Sequence, residues 1–206
     1  MELDSGGFAI ILAGGRSARM GRDKMALPLG NTTLLERIVA ELHRAFSPII
    51  VVAAREADQP SVIDTSLHRV ILIRDQTAYQ GPVDALRAGL GAGIGDHAFA
   101  ASCDLPLVSA EVALKLCVML EDNDAVIARV GGRLQMLHAV YRRRCLGALD
   151  AMAARGERRL HTIVDQIRAR IVEEAEMRLI DPRLESFCNV NTPEDYRAAL
   201  TAISRS

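Results

Sequence analysis

The sequence predicts an α/β fold, a mostly parallel sheet with helices on both faces that turns mixed toward the C-terminal part. Three observations predict it. Short, almost wholly apolar runs, Phe8–Leu12, Ile49–Ala53, Val70–Ile73 and Phe99–Ser102, have the length of strands and no polar face, as strands covered on two sides require. Stretches with apolar residues at helical spacing alternate with them. Aromatic residues make up only 3% of the chain and Trp is absent, while Ala, Val, Ile and Leu dominate, which suits helices packed on a parallel sheet.

Taken in order, Phe8–Leu12 is a buried strand that runs into a Gly- and Arg-rich loop. Thr33–Ala45 is a helix with Leu34, Leu35, Ile38, Val39 and Leu42 on one face, its N-cap supplied from Asn31–Thr33. Ile49–Ala53, introduced by Pro48, and Val70–Ile73, followed by Arg74-Asp75, are strands covered on both faces. Gly81-Pro82 starts a helix with Pro at its first position, and Phe99–Ser102 is a strand that leads into Cys103-Asp104. Ser109 caps a helix that reaches Leu120.

Ala125–Val130 and Arg133–Tyr141 pair around the Gly131-Gly132 turn, which makes the sheet mixed. Arg143–Ala154 and Leu160–Ile167 are helical, and Ile171–Glu173 and Phe187–Val190 extended. Thr192-Pro193-Glu194-Asp195 opens a last helix with Thr as cap, Pro at the first position and acids in the first turn. No repeat, low-complexity tract or linker interrupts the chain, so residues 1–206 form one domain.

Composition sets the outer limits of function. A chain of 206 residues that is 50% hydrophobic and 25% charged buries roughly 70% of its unfolded surface and needs neither disulfide nor structural metal to hold its core. A formal net charge of −1 argues against nucleic acid or an anionic membrane as main partner. No apolar run approaches the roughly 18 residues of a membrane span, and the acidic start Met1-Glu2-Leu3-Asp4 is unlike a signal peptide. A cytoplasmic location is expected. Cys103, Cys117, Cys145 and Cys188 form no C-x-x-C pair and read as buried free thiols.

The strongest chemical signal is Leu12-Ala13-Gly14-Gly15-Arg16-Ser17-Ala18-Arg19-Met20-Gly21-Arg22-Asp23-Lys24, directly after the first strand. Glycines let backbone N–H groups come close to a ligand, and four basic side chains against one acid make an anion site suited to a polyphosphate. As a bare charge run it reads more readily as a solvated loop than as a ligand site. Its position favours a ligand, because open α/β sheets bind ligands outside the carboxyl ends of their strands. Neither G-x-x-x-x-G-K-[ST] nor G-x-G-x-x-G fits Gly14, Gly15 and Gly21, so P-loop kinases and typical dinucleotide-binding dehydrogenases lose support.

Other candidates are weaker on their residues alone. In Ser102-Cys103-Asp104-Leu105-Pro106 an acid ends an apolar strand; it can hold Mg²⁺ against phosphate oxygens or cap the next turn. Asp75 closes another strand, and a surface acid is an equal reading. Asn189 and Asn191 alternate on an extended run that carries both amides on one face. Gly156-Glu157-Arg158-Arg159 is a charged interhelical turn, and His138 is a satisfied core or edge histidine and no catalyst.

The Leu12–Lys24 loop resembles the signature L-A-G-G-x-S-x-R-M-G-x-D-K of nucleotidyltransferases that activate a phosphorylated small molecule, and is most similar to that of the molybdenum cofactor guanylyltransferases. Similar segments follow in the same order up to Tyr196: C-D-x-P at Cys103–Pro106, Q-x-L-x-A-V-Y at Gln135–Tyr141, G-E-R-R at Gly156–Arg159 and N-V-N-T-P at Asn189–Pro193. The chain departs from the pattern at Met136, where Pro is usual, and at Val83-Asp84-Ala85 after Gly81-Pro82.

The resemblance implies a single-domain, Rossmann-like, three-layer nucleotidyltransferase fold. It implies nucleotide contact through the backbone of Leu12, Ala13 and Gly14, phosphate contact by Gly15, Arg16 and Arg19, and charge neutralisation by Lys24. Asp104 is then the Mg²⁺ ligand, with Lys24 and Arg19 beside it in the catalytic set. Asp75 faces the guanine, where a carboxylate accepts from N1–H and the 2-amino group. Asn189 and Asn191 serve the acceptor or a metal-bound water, and Arg158 and Arg159 either meet the acceptor's phosphate or only line a turn.

The implied reaction moves GMP from GTP to a molybdopterin-type cofactor and releases pyrophosphate. It needs no strong general base, because a phosphate monoester is already an anionic nucleophile near neutral pH. The implied partners are GTP and the molybdopterin-type cofactor, with transient contact to cofactor-delivering or molybdoenzyme-chaperone proteins. Two alternatives stand beside this reading. A relative using CTP or a sugar-phosphate acceptor is disfavoured by Ala13-Gly14-Gly15, where cytidylyltransferases tend to have A-A-G. A non-catalytic nucleotide-binding module is disfavoured by the presence of Lys24 and Asp104.

Overall fold

The computed structural model describes residues 6–13, 27–29, 32–53, 69–74 and 81–204. In chain order its elements are β1 (Phe8–Ala13), β2 (Pro28–Leu29), β3 (Thr32–Thr33), α1 (Leu34–His43), β4 (Ile49–Ala53), β5 (Val70–Arg74), α2 (Pro82–Ala92), β6 (His97–Ser102) and α3 (Ala110–Val118). The C-terminal part adds β7 (Ala125–Val130), β8 (Arg133–Arg142), α4 (Leu146–Ala154), β9 (Ala169–Val172), α5 (Glu174–Met177) and α6 (Pro193–Ile203).

Among the described residues, seven strands join in one sheet in the order β5-β4-β1-β6-β8-β7-β9, and β2 pairs with β3 in a separate antiparallel ribbon. The pairs β5–β4, β4–β1 and β1–β6 are parallel. The strand β8 runs antiparallel to both β6 and β7, and β9 returns parallel to β7. The sheet is therefore parallel in its N-terminal half and mixed beyond it, as the Gly131-Gly132 turn predicts. Both glycines of that turn have positive φ, +57° and +72°, the conformation a two-residue hairpin loop demands.

Alternate residues along the strands feed two separate cores. Ala9, Ile11, Ile49, Val51, Phe99 and Ala101 pack with Leu35, Ile38 and Leu42 of α1 and Val112 and Leu116 of α3. Phe8, Ile10, Ile50, Val52, Ala98 and Ala100 pack with Val83, Leu86 and Leu90 of α2 and Leu149 and Met152 of α4. Helix, sheet and helix thus form three layers. The helix α1 buries the five residues that its periodicity selects. A capping box fixes its start: Thr33 Oγ1 accepts from the Glu36 N–H at 3.3 Å, and the Glu36 carboxylate accepts from the Thr33 N–H at 2.7 Å.

Three expectations change. The strand β5 lies at the edge of the sheet, with Ile71 43% exposed; an apolar run reports a strand but not whether a neighbour covers its second side. Phe187–Val190 is not an extended run, because Phe187 closes a 3₁₀ turn over Glu185–Phe187. The Asp181 carboxylate accepts from the backbone N–H groups of Glu185 and Ser186 and from the Ser186 hydroxyl, and such local bonds compete with strand formation. The helical expectation at Leu160–Ile167 holds, as a 3₁₀ helix over Leu160–Asp165. Of the cysteines, Cys103 and Cys145 are buried but Cys188 is exposed. No helix among the described residues is long and apolar enough to cross a membrane.

The layer spacing on one face depends on Gly89, in the middle of α2, where an added Cβ would stand 2.5 Å from Ile10 Cγ2. Alanine favours an exposed helix over glycine by about 1 kcal/mol, but overpacking a core costs about 1–3 kcal/mol, so packing wins here. Gly89→Ala is expected to lower unfolding free energy in urea titrations; a gain in stability would show that α2 does not press on β1.

Candidate active site

The site is built where β1 and β6 leave the sheet. Both are buried on two faces and pair in parallel with Leu12 opposite Ser102. One residue further on, the Cys103 N–H donates to the Leu12 carbonyl at 3.1 Å. Ala13 and Asp104 therefore emerge side by side at the carboxyl ends of adjacent strands, where an open α/β sheet presents its ligands. Gly14, Gly15, Arg16, Arg19, Lys24 and Asp75 lie outside the described residues. The segments that bound them are placed: the first five follow Ala13 at the end of β1 and precede Leu27, whose carbonyl accepts from the Leu34 N–H at 3.0 Å, and Asp75 follows β5.

Asp104 is half-buried, and its Oδ1 is inaccessible to solvent. Its turn is fixed from three sides. The Asp104 carbonyl accepts from the Val190 N–H at 2.8 Å, the Leu105 carbonyl accepts from the Val108 N–H at 3.2 Å, and the Pro106 carbonyl accepts from Arg37 Nε of α1 at 2.9 Å. These bonds fix the backbone from which the Asp104 side chain projects. Arg37 and Val190 were not candidates on sequence; a backbone bond from Val190 leaves no mark in residue type.

That Val190 bond also carries the C-terminal segment to the site. Val190 is buried between Asn189 and Asn191, which are both exposed, so the two amides flank Asp104's backbone partner even without a strand. The segment continues into α6, whose Thr192–Asp195 capping box is closed. The Tyr196 hydroxyl of α6 donates to the Pro28 carbonyl, which ties this helix to the chain just beyond the Gly- and Arg-rich loop. The structure thus brings together Leu12, Ala13, Asp104, Asn189 and Asn191.

On the other face, Gly81 caps α2, and a Cβ there would lie 3.5 Å from Arg158 Cβ. The Gly156–Arg159 turn therefore sits against the α2 N-terminus. Its two arginines differ. Arg159 is forked onto Glu157 at 3.0 and 2.9 Å, and those bonds pull the Glu157 carboxyl down to about 2. Arg159 is thus already matched by an acid of its own turn, which leaves Arg158 the better placed to meet an anion.

His138, in β8 opposite Ala101 of β6, is 1% exposed. Its ring stands edge-on to Phe99, centroids 5.1 Å apart, and tilted over Phe187 at 4.1 Å. It is a core histidine as expected but not a satisfied one: neither ring nitrogen has a hydrogen-bond partner among the described residues. Burial pushes its pKa down to about 4, against the smaller raising effects of its own backbone and of the Asp181 charge, so the ring is neutral at pH 7.

Residues 9–171 match the family model described as the MobA-like NTP transferase domain. A protein named probable molybdenum cofactor guanylyltransferase from Methanothermobacter thermautotrophicus is 37% identical over 201 residues, which cover 95% of this chain and 98% of the relative. Its namesake from Mycobacterium avium is 36% identical, covering 94% of each chain. Among solved structures, molybdopterin-guanine dinucleotide biosynthesis protein A from Archaeoglobus fulgidus superposes with a TM-score of 0.78 at 24% identity, over 96% of this chain and 99% of that one.

His138 makes stability depend on pH in a way that needs no ligand to measure. In the unfolded chain it takes up a proton near its ordinary value of 6.5, in the folded chain only near 4. The stability of the neutral form is complete above pH 6.5 and lost as pH falls toward 4; from pH 7.5 to 5 that loss is about 2 kcal/mol. His138→Phe is expected to remove that part of the acid sensitivity in denaturant unfolding measured at the two pH values. Equal losses in both proteins would contradict the burial described above.

Proposed function

Since the chain belongs to the MobA-like NTP transferase family over residues 9–171, and is therefore a nucleotidyltransferase, we propose that it transfers GMP from GTP to a molybdopterin-type molybdenum cofactor. What supports the choice of substrates is full-length similarity to relatives named for that reaction. What supports the location is the Leu12–Ser102 pairing, which starts the Gly- and Arg-rich loop next to Asp104.

In this reading the acceptor's phosphate oxygen attacks the α-phosphorus of GTP. The new P–O bond forms as the bond from the α-phosphorus to the bridging oxygen breaks, and pyrophosphate carries away the electron pair. Gly15, Arg16, Arg19 and Lys24 bind the triphosphate and offset the charge that builds on the leaving group. Gly14 and the ends of β1, Leu12 and Ala13, line the nucleotide, and Asp75, one residue past β5, accepts from the guanine edge. Asn189 and Asn191 orient the acceptor from the far side of Asp104.

A lone carboxylate suits Mg²⁺, which in phosphoryl-transfer sites takes one or two carboxylates and completes its shell with phosphate oxygens and water. Asp104, rigidly mounted, would hold the ion, and the ion would supply charge neutralisation at the phosphates.

Incubation with GTP, Mg²⁺ and molybdopterin is expected to yield one pyrophosphate per guanine dinucleotide formed. Asp104→Asn is expected to lower turnover on the order of 100-fold or more with an unchanged thermal midpoint, and undiminished turnover would remove Asp104 from the chemistry. Lys24→Ala is expected to weaken GTP binding much more than guanosine binding; equal effects would place Lys24 away from the phosphates.

A further inference from the structure

The strand β8 changes partners beside the site. Ile127 of β7 faces Ala139 and Arg129 faces Leu134, so Ala128 alone stands opposite the four residues Gln135–His138. His138 keeps its register with Ala101 of β6, and that pairing runs no further toward Gln135. Gln135, Met136 and Leu137 therefore form a wide bulge that continues β8 past the carboxyl end of β6, the end that carries Asp104. Bulges give up ladder bonds and recur beside active sites, where they redirect the chain.

The bulge is anchored by specific groups. The hydroxyl of Tyr141, itself fully buried, reaches back along the strand and donates to the Met136 carbonyl at 2.8 Å. The Gln135 amide donates to the Val130 carbonyl at 3.3 Å. At the other end, the His138 ring lies between Phe99 of β6 and Phe187, three residues ahead of the Val190 that bonds Asp104. The contacts of His138 to both rings run through its faces and edges, which makes it an aromatic spacer between bulge and C-terminal segment.

We propose that Tyr141 and His138 are positioning residues, which hold the Gln135–Leu137 bulge and the Phe187–Asn191 segment as the wall that receives the acceptor. The inference rests on the guanylyl-transfer reading. There, the loop after β1 and Asp75 after β5 commit the β1-β4-β5 half of the sheet to the nucleotide. The β6-β8-β7 half is left for the acceptor, and the bulge extends that half at the carboxyl end of β6, the end from which Asp104 follows. Tyr141 suits the task because its burial raises its pKa, so it remains a donor throughout the working pH range.

The test is steady-state transfer with acceptor varied at saturating GTP, and GTP varied at saturating acceptor. Tyr141→Phe deletes only the anchoring hydroxyl and is expected to raise the acceptor KM about tenfold, the equivalent of one hydrogen bond, while the GTP KM stays within about twofold. His138→Ala is expected to act in the same direction, and His138→Phe to restore the acceptor KM to within about twofold of wild type, because it returns the ring without the nitrogens. A merely structural role lowers the thermal midpoint and leaves the ratio of the two KM values alone. A folded Tyr141→Phe with wild-type acceptor KM, or with both KM values raised equally, overturns this inference and leaves the guanylyl-transfer reading intact. A wild type that binds GTP with Mg²⁺ but forms no product from molybdopterin overturns both.

Discussion

The parallel pairing of Phe8–Leu12 with Ala98–Ser102 is the constraint on which the rest of the molecule depends. Neither strand has a polar face, so each must be covered above and below, and the only arrangement that covers both is a sheet interior between two helix layers. Residues of one parity, Ala9, Ile11, Phe99 and Ala101, meet α1 and α3; those of the other, Phe8, Ile10, Ala98 and Ala100, meet α2 and α4. Once the register is set with Leu12 opposite Ser102, the takeoff of the Gly- and Arg-rich loop and the position of Asp104 follow without further choice. The site is thus anchored in apolar burial, and its polar groups need only be presented at the carboxyl ends of two central strands.

Presentation is completed by chain that is distant in sequence. The bond from Val190 to the Asp104 carbonyl, the bond from Tyr196 to Pro28 and the reach of Arg37 to Pro106 link the C-terminal segment, α1 and the acid turn in one network. Backbone carbonyls are the acceptors throughout. A network of this kind fixes where the Asp104 backbone stands through bonds made to main-chain oxygens. His138 belongs to the same scheme by a different force, since its ring contacts with Phe99 and Phe187 add packing to the hydrogen bonds that hold the segment.

Much of this was legible in the residues. The strands and the buried face of α1 follow from apolar runs and periodicity, the caps at Thr33, Ser109 and Thr192 from residue type, and the hairpin from Gly131-Gly132. The motif order in the chain identified the family. What pattern could not show is register and neighbourhood. Leu134 and Met136 look like ordinary members of an alternating strand, so the departure of β8 from β7 is invisible until the pairing of Arg129 with Leu134 is known. The edge position of β5 is hidden because Val70–Ile73 is as apolar as the central strands, and the turn at Ser186 is decided by Asp181, a residue outside the run it disrupts.

The central claim is that a guanine nucleotide binds at the carboxyl ends of β1 and β6 with Asp104 as an essential part of its site. Calorimetric titration of GTP, CTP, ATP and UTP in the presence of Mg²⁺, on the wild type and on Asp104→Asn, tests it most directly. The account predicts selective GTP binding by the wild type and a marked loss of affinity in the variant. CTP binding as tight as GTP, GTP binding indifferent to Asp104, or no nucleotide binding at all would contradict it.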